Sequence, residues 1–379
     1  MKILHTSDLH IGIRIKDYSM LEEQKYILKQ IVEYAEREQP DAIIIAGDIY
    51  DKTIPSAEAV ALFDEFLVAL SRLGKTIFII SGNHDSAERI AFASRIMEAS
   101  RVYLSPVYNG KVEPIVLQDN DTQFAFYLLP YLKPSLVQHY AEDDVTIRSY
   151  DEAMRYVIGR MHIDKTRRNI LITHQYIAEA ERTDSEDIMI GGLDSIDASI
   201  FEDFDYVALG HLHRPQSCGR ATIRYSGSPL KYSFSEVKDH KSLSLITING
   251  NDTPQVSLLP LNPLHDWYDL RGTYEQLTAK SFYDKTDLQE AYVRITLTDE
   301  EDIVDGMRKL KTIYHRLTEL CYDNKRTRAG FTLIGKPMDV RQLQPEQLFS
   351  ELYEKQNAHP LSDEQKQYLN RLIDEVFRS

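Results

Sequence analysis

A chain of 379 residues, 42% hydrophobic and 27% charged, is long enough for more than one domain and has the composition of a water-soluble globular protein. Its apolar runs fall short of the roughly 20 residues that a membrane span requires, and the opening stretch is too short for a signal peptide. The net charge of −15 disfavours a protein that binds DNA by itself, unless metal ions or a partner protein supply positive charge. The two cysteines, Cys218 and Cys321, form no metal-ligand pattern, so we expect a cytoplasmic protein with reduced thiols.

The first third of the chain alternates apolar strands with amphipathic helices. Strands are predicted at residues 2–7, 41–46 and 75–81. Between them, Ser19 and Glu22 form a capping box for one helix, and a second helix runs from about residue 56 to residue 73, with Gly74 after it. This β-α-β-α-β order predicts an α/β fold in which helices flank a sheet.

The rest of the chain continues this pattern and then changes character. Strands are predicted at 123–129, 169–173 and 205–209, a helix at about 150–162, and strands with turns from 221 to about 260. A boundary rich in proline then precedes a small α+β segment, in which a helix is expected at about 302–320, and two helices end the chain. We therefore expect domains at residues 1–262 and 263–339, followed by C-terminal helices at 340–379.

Five short segments place metal-binding side chains immediately after an apolar strand. They are Asp8-Leu9-His10, Gly47-Asp48-Ile49-Tyr50-Asp51, Gly82-Asn83-His84-Asp85, Thr173-His174-Gln175 and Gly210-His211-Leu212-His213. Because the C-termini of strands meet along one edge of an α/β sheet, segments far apart in sequence can converge there. Carboxylate, imidazole and amide groups together suit divalent ions such as Mn²⁺, Fe²⁺ or Zn²⁺. The glycines beside them let the backbone turn sharply.

Each segment alone also has an ordinary structural interpretation. Asp8 could cap a helix, a Gly-Asp pair such as Gly47-Asp48 is a common turn, and His174 could be a core histidine. The Gly-Asn-His-Asp and Gly-His-Leu-His segments are more specific, because turns need glycine, asparagine or aspartate but not histidine. The occurrence of all five segments in this order, each at a strand end, favours a metal site.

These motifs resemble those of the calcineurin-like metallophosphoesterase superfamily over the first 230 residues or so. The resemblance implies a two-sheet sandwich flanked by helices and two bound divalent ions. The ligands that it implies for the first ion are Asp8, His10, Asp48 and His213, and for the second ion Asp48, Asn83, His174 and His211. Asp48 would bridge both ions, since one carboxylate has two oxygens, and His84 would contact the phosphate or the leaving oxygen and not the metals.

Differences from related enzymes narrow the predicted substrate. Protein phosphatases of the superfamily usually read Gly-Asp-x-x-Asp-Arg-Gly and Gly-Asn-His-Glu, whereas here Lys52 and Thr53 follow Asp51 and the second motif ends in Asp85. Three longer segments, MKILHTSDLHIG, GDIYDKTIPS and YSGSPLKYSFSE, are similar to the SbcD family of nuclease subunits. The alternative is a phosphodiesterase of the same superfamily that acts on nucleotides, although such enzymes typically lack a long C-terminal extension.

Similarity to the SbcD family implies a DNA nuclease that uses two Mn²⁺ ions in DNA repair, recombination and replication. The implied activities are an ATP-stimulated 3′→5′ exonuclease on double strands and an endonuclease on single strands and hairpins. The implied assembly is a homodimer bound to two copies of SbcC, a coiled-coil ATPase, with residues 263–339 as a DNA-capping domain. A binding subunit with an inactive metal site is a further alternative, which the complete ligand set disfavours.

The C-terminal helices are the expected docking site for that ATPase. Pro345 opens a helix with an apolar side that carries Leu348, Phe349, Leu352 and Tyr353. A capping box of Ser362 and Gln365 starts a second helix, with an apolar face of Leu369, Leu372, Ile373 and Val376. The alternative is that both helices pack on the body of this same chain.

Two basic clusters are candidate contacts to DNA. They are Lys165, Arg167 and Arg168, and Lys325, Arg326 and Arg328. Each cluster could equally be a solvated surface. Because so few phosphates could be neutralised, we expect the isolated chain to bind DNA weakly and with strong salt dependence.

Overall fold

The computed structural model describes residues 1–178, 180–184, 186, 195–325, 327, 349–350, 353 and 361–378. Within these residues the strands are β1 (Lys2–Thr6), β2 (Arg14–Ile15), β3 (Tyr18–Ser19), β4 (Ala42–Ala46), β5 (Thr76–Ile80), β6 (Val102–Leu104), β7 (Ile115–Asp119), β8 (Thr122–Leu129), β9 (Arg168–His174), β10 (Tyr206–Gly210), β11 (Gln216–Cys218), β12 (Arg220–Tyr225), β13 (Ser242–Thr247), β14 (Gln255–Pro260), β15 (Trp267–Gly272), β16 (Tyr292–Leu297) and β17 (Arg316–Tyr322). The helices are α1 (Leu21–Glu38), α2 (Ala57–Ser71), α3 (Ala87–Ile90), α4 (Ser94–Met97), α5 (Pro134–Tyr140), α6 (Tyr150–Gly159), α7 (Tyr274–Thr278), α8 (Lys280–Tyr283), α9 (Gly306–Lys311) and α10 (Asp363–Arg378).

Two six-stranded sheets dominate the described part of the chain. The first has the strand order β14-β13-β1-β4-β5-β6, and the second has the order β11-β12-β10-β9-β8-β7. Strands β1, β4, β5 and β6 are parallel to one another, as are β8, β9, β10 and β12. The carboxyl ends of the parallel strands in each sheet therefore share one edge, and this arrangement positions the loops that follow them.

The two sheets pack face to face and carry helices on their outer sides. Ile44 and Phe78 from the first sheet meet Phe126 and Ile172 from the second in a fully buried layer. Helices α1 and α2 pack on the other face of the first sheet, and α5 and α6 pack on the other face of the second. Strands that are buried on both faces are continuously apolar, as AIIIA of β4 is. The expected two-sheet sandwich flanked by helices is confirmed.

The predicted capping box at the start of α1 is wrong. Helix α1 begins at Leu21 after Met20, whose side chain makes no capping hydrogen bond, while Ser19 Oγ accepts the Leu21 N–H (3.5 Å), one residue too early for a capping box. Ser19 belongs instead to the β2–β3 hairpin, where it pairs with Arg14. The local pattern assigned Ser19 to the start of the helix, but in the structure Ser19 pairs with the neighbouring strand.

A smaller sheet, of order β15-β16-β17, follows the sandwich. The helix predicted at 302–320 is wrong, because α9 covers only Gly306–Lys311 and residues Arg316–Tyr322 form strand β17. Pairing beside β16 outweighs the local helical preference of this stretch.

The chain divides into two compact units, residues 1–297 with 303–321 and residues 298–302 with 322–379. The domain boundaries predicted after residues 262 and 339 stay a prediction. In the second unit, the capping box of α10 is confirmed, since the Ser362 N–H donates to Gln365 Oε1 (2.9 Å) and the Gln365 N–H donates to Ser362 Oγ (3.3 Å). Of the helix predicted from Pro345, positions Leu348 and Leu352 lie outside the described residues. No helix in the described ranges is long and apolar enough to cross a membrane.

Candidate metal centre

All eight site residues predicted from the sequence lie together at the shared edge of the two sheets. They follow β1 (Asp8, His10), β4 (Asp48), β5 (Asn83, His84) and β10 (His211, His213), or end β9 (His174). The Asn83 amide oxygen lies 3.0 Å from Nε2 of His174 and 2.9 Å from Nδ1 of His211. Nε2 of His10 lies 3.1 Å from Nε2 of His213. The structure brings the residues together as expected, while the role of each one stays a prediction.

Asp48 lies between these two groups of side chains. Its Oδ2 is 3.6 Å from Nε2 of His10 and 3.3 Å from Nε2 of His174. Its Oδ1 accepts a hydrogen bond from the His84 backbone N–H (2.9 Å). One oxygen therefore faces both groups, and the other is held by the backbone.

Side chains that could hold a metal ion form three overlapping groups among the described residues. The groups are Asp8 with His10 and His213, Asp8 with Asp48 and His174, and His10 with Asp48 and His84. The ion-pair partners of the buried Asp8 and Asp48 carboxylates are the histidines His10 and His174. Buried carboxylates beside imidazoles are a donor set that suits divalent ions, so the residues present fit the metal centre expected from the sequence.

Burial and mutual charge shift the protonation equilibria of these groups. Burial raises the pKa of Asp8 to about 6 and lowers that of His211 to about 3. Burial also opposes protonation of His174, but the Asp48 and Asp8 carboxylates outweigh it and raise the pKa of His174 to about 9. A negative field strong enough to hold a proton on a buried imidazole also favours a dication, which would displace that proton.

Glycines bring the loops into close contact. Gly47 has a φ of +87°, so it makes the sharp turn that the sequence predicts. Gly82 and Gly210 do not have the positive φ angles that favour glycine. They are needed because there is no room for a side chain at either position. A Cβ on Gly82 would collide with the Asp48 carboxylate, and a Cβ on Gly210 would collide with the Ala46 carbonyl and lie 2.6 Å from Nδ1 of His174. The sequence-based explanation for these two glycines is therefore corrected.

Several candidate ligands have backbone conformations that L-residues rarely adopt. The φ angles are +53° at Asp8, +43° at His10, +48° at Asp48 and +105° at His211. Such conformations cost roughly 1–3 kcal/mol each and persist where the surrounding structure enforces them. Here the His10 N–H donates to the Asp48 carbonyl (3.0 Å) and the Asp8 N–H donates to the Gly47 carbonyl (3.1 Å). The loops after β1 and β4 thus hold each other in place.

Three further side chains support the site, and their role is not visible in the sequence. The buried Asp85 carboxylate accepts hydrogen bonds from the backbone N–H groups of Ile49, Tyr50 and Gly82, so it joins the loops after β4 and β5. Gln24 Nε2 and the Tyr232 hydroxyl both donate to the Leu9 carbonyl. In the sequence, Asp85 belongs to one of the five segments with metal-binding side chains and replaces the glutamate usual in protein phosphatases, and Tyr232 lies in a segment similar to the SbcD family, but neither position indicates which groups the side chain contacts.

The first of the two basic clusters forms no continuous basic surface. Lys165, Arg167 and Arg168 each pair with an aspartate, respectively Asp203, Asp164 and Asp205. Arg168 begins β9, whereas His174 ends it, so the cluster lies at the opposite end of that strand from the candidate metal centre. These contacts count against the predicted role in DNA binding. In the second cluster, Arg326 and Arg328 lie outside the described residues.

Comparison with known proteins identifies the family. Residues 1–215 match the model of the calcineurin-like phosphoesterase family, and residues 261–357 match that of the Type 5 capsule protein repressor C-terminal domain. The SbcD subunit of the SbcCD nuclease of Staphylococcus epidermidis is 39% identical over 324 residues, which are 84% of this chain and 85% of that protein. The chain belongs to the SbcD family of calcineurin-like phosphoesterases.

A second relative spans nearly the whole chain, and a solved structure aligns with part of it. The SbcD subunit of the SbcCD nuclease of Staphylococcus saprophyticus is 32% identical over 377 residues, or 98% of each chain. A dimetal phosphatase from Danio rerio aligns with 70% of this chain and 98% of its own at 10% identity and a TM-score of 0.42. Membership of the SbcD family confirms the resemblance noted in the sequence. It also establishes a phosphoester hydrolase that uses divalent metal ions, with the clustered histidines and aspartates as the candidate ligands.

Proposed function

We propose that this chain is a two-metal DNA nuclease that uses Mn²⁺. The observation that carries the proposal is the position of Asp48 Oδ2, which faces His10 on one side and His174 on the other. The proposed activities are an ATP-stimulated 3′→5′ exonuclease on double strands and an endonuclease on single strands and hairpins, in DNA repair and recombination. Relatives of nearly equal length that are named as nuclease subunits support this choice within the phosphoesterases.

The proposed ligands fall into two sets that share one residue. The first set is Asp8, His10, Asp48 and His213, and the second is Asp48, Asn83, His174 and His211. When bound, the two ions would lower the pKa of a water molecule and offset the charge of the phosphodiester. Asp48 would be the residue that both sets share: its Oδ2 lies within 3.6 Å of Nε2 of His10 and of His174, and its Oδ1 accepts the His84 backbone N–H.

His84 is proposed to act on the leaving oxygen. Its Nδ1 lies 3.0 Å from the Asp51 carbonyl, which can only accept, so Nδ1 donates the hydrogen bond. The neutral ring would then carry a lone pair on Nε2, whereas the doubly protonated imidazolium presents a proton there to an oxygen that develops negative charge, and the proposed role requires the second form. Its imidazole also stands edge-on to that of His10, with ring centroids 4.8 Å apart, at the border of the metal centre.

The proposed nuclease activity can be tested on end-labelled DNA. With Mn²⁺, the purified chain should shorten duplex DNA from its 3′ ends and open hairpins, and chelation should stop both reactions. Addition of an SbcC-type ATPase with ATP should increase the rate on duplex ends. Hydrolysis of nucleotide phosphodiesters without any cleavage of DNA would favour the alternative activity. Binding of Mn²⁺ without hydrolysis of either substrate would indicate an inactive subunit.

We also propose that the chain acts as a homodimer bound to two copies of an SbcC-type ATPase, through its C-terminal helices. In α10 the Leu369 side chain is buried, but Tyr368 and Leu372 are 60% and 41% exposed. Exposed apolar side chains on an amphipathic helix are typical of helix-mediated recognition.

Deletion of residues 340–379 tests this docking site. The truncated chain should keep Mn²⁺-dependent cleavage and should no longer co-purify with the ATPase. The full-length chain, purified in parallel, is the control for both measurements. Aggregation or a large loss of thermal stability would show that the helices belong to the core of this chain.

A further inference from the structure

A buried carboxylate lies behind the His213 imidazole, on the side away from the metal centre. Nε2 of His213 faces Nε2 of His10 at 3.1 Å, whereas Nδ1 lies 3.8 Å from Oε1 of Glu236. Glu236 ends a short turn between β12 and β13, and its side chain is completely buried. One nitrogen of the His213 ring thus lies beside a proposed metal ligand, and the other lies beside a buried carboxylate.

A buried lysine holds this carboxylate and the His213 backbone together. Nζ of Lys241 donates to Glu236 Oε2 (2.5 Å), to the His213 carbonyl (2.7 Å) and to Ser228 Oγ (3.0 Å). An ammonium group has three N–H donors, so these contacts use all of them. On the other side of the residue, the His213 N–H donates to Glu186 Oε1 (2.7 Å). The ring, carbonyl and N–H of His213 each have a charged partner in the protein.

The cost of this arrangement argues for a role beyond folding. Burial of a carboxylate and an ammonium group carries a desolvation penalty, and replacing such a pair by apolar residues is often neutral or stabilising. A carboxylate beside Nδ1 keeps the proton on that nitrogen and leaves the lone pair of Nε2 for a metal ion. We therefore interpret the pair of Glu236 and Lys241 as support for His213 as a metal ligand and not as a contribution to the stability of the core.

We propose that Glu236 and Lys241 are positioning residues that fix the tautomer and orientation of His213 and so tighten metal binding at the first site. This inference rests on the ligand role proposed for His213. Lys241 acts through Glu236 and through the His213 carbonyl, and neither residue contacts the substrate in this scheme.

Titration with Mn²⁺ alone, followed by calorimetry, tests the inference. Glu236→Gln keeps the shape of the side chain and removes its charge. We expect roughly 10–100-fold weaker binding of one Mn²⁺ ion, the usual effect of removing such a partner, with the other ion unaffected. Because the variant leaves the Lys241 ammonium buried without its counter-charge, its stability should also fall.

A double variant separates metal binding from folding. Glu236→Gln with Lys241→Met removes both charges, so thermal stability should recover towards that of the wild type while the one Mn²⁺ site stays weak. Lys231→Met is the matched control, since Lys231 is a buried lysine of the same region whose Nζ bonds Asp266 and the Val237 carbonyl. Wild-type affinity in the double variant, or an equal loss in Lys231→Met, would overturn the inference.

A His213→Gln variant distinguishes failure of this inference from failure of the proposed ligand set. If His213→Gln loses one ion and Glu236→Gln loses none, the ligand role stands and the positioning role is wrong. If His213→Gln retains both ions at wild-type affinity, the proposed ligand role of His213 is wrong, and the positioning role falls with it.

Discussion

Replacement of Asp48 by asparagine should deplete both metal ions and abolish cleavage. The buried Asp48 Oδ2 lies 3.6 Å from His10 Nε2 and 3.3 Å from His174 Nε2, so it faces both proposed ligand sets, and it lies closer to His174 than the Asp8 carboxylate does (4.0 Å). One pair of unit charges about 4 Å apart is worth about 4 kcal/mol at an effective dielectric constant near 20. Loss of that energy would raise the dissociation constant for Mn²⁺ roughly a thousandfold, and we expect this increase for each of the two ions. Metal analysis of the purified variant and calorimetric titration with Mn²⁺ measure the effect.

Two comparison variants make this result specific. His211→Gln removes a proposed ligand of the second ion only, so one tight Mn²⁺ site should remain. Asp64→Asn changes the net charge equally at an exposed position on α2 and should leave both sites intact. A tight single site in Asp48→Asn would contradict the shared role of this carboxylate.

The candidate site could be predicted from the sequence because its geometry follows from strand order. Asp48 and Asn83 follow neighbouring parallel strands, β4 and β5, and His174 and His211 follow or end the parallel pair β9 and β10. Parallel pairing brings their carboxyl ends to one edge, whatever the sequence distance between them. A local motif at the end of each strand was therefore sufficient to predict which residues form the candidate site.

The features that escaped prediction depend on contacts between distant segments. The helix expected at 302–320 became α9 and β17, because pairing beside β16 is not visible in a local pattern. Likewise, the charge of Lys165 is offset by Asp203, which is remote in sequence and adjacent in space. The contacts of Asp85, Glu236 and Lys241 join different loops, so they also cannot be recognised from the sequence of any one loop. Periodicity identifies elements and strand ends, but it does not identify the partners of buried charges.

Replacement of His84 by glutamine should abolish cleavage while both metal ions remain bound. The imidazole donates from Nδ1 to the Asp51 carbonyl, and the His84 backbone N–H, which the substitution retains, donates to Asp48 Oδ1. Loss of a general acid typically lowers a rate by roughly 10²–10⁴-fold. We therefore expect kcat to fall by about that factor, with little change in the affinity for Mn²⁺.

The His84→Gln variant also decides between two geometrically possible roles, because the His84 ring lies close enough to His10 and Asp48 to be a ligand itself. A ligand would lose metal in proportion to activity, whereas a proton donor would lose activity alone. His139→Gln, at an exposed position on α5, controls for the loss of an imidazole elsewhere on the protein. A DNA substrate with a better leaving group at the scissile bond gives an independent measurement. Since such a group needs no proton, it should restore much of the rate in His84→Gln if the ring protonates the leaving oxygen, and none of it if the ring holds a metal ion.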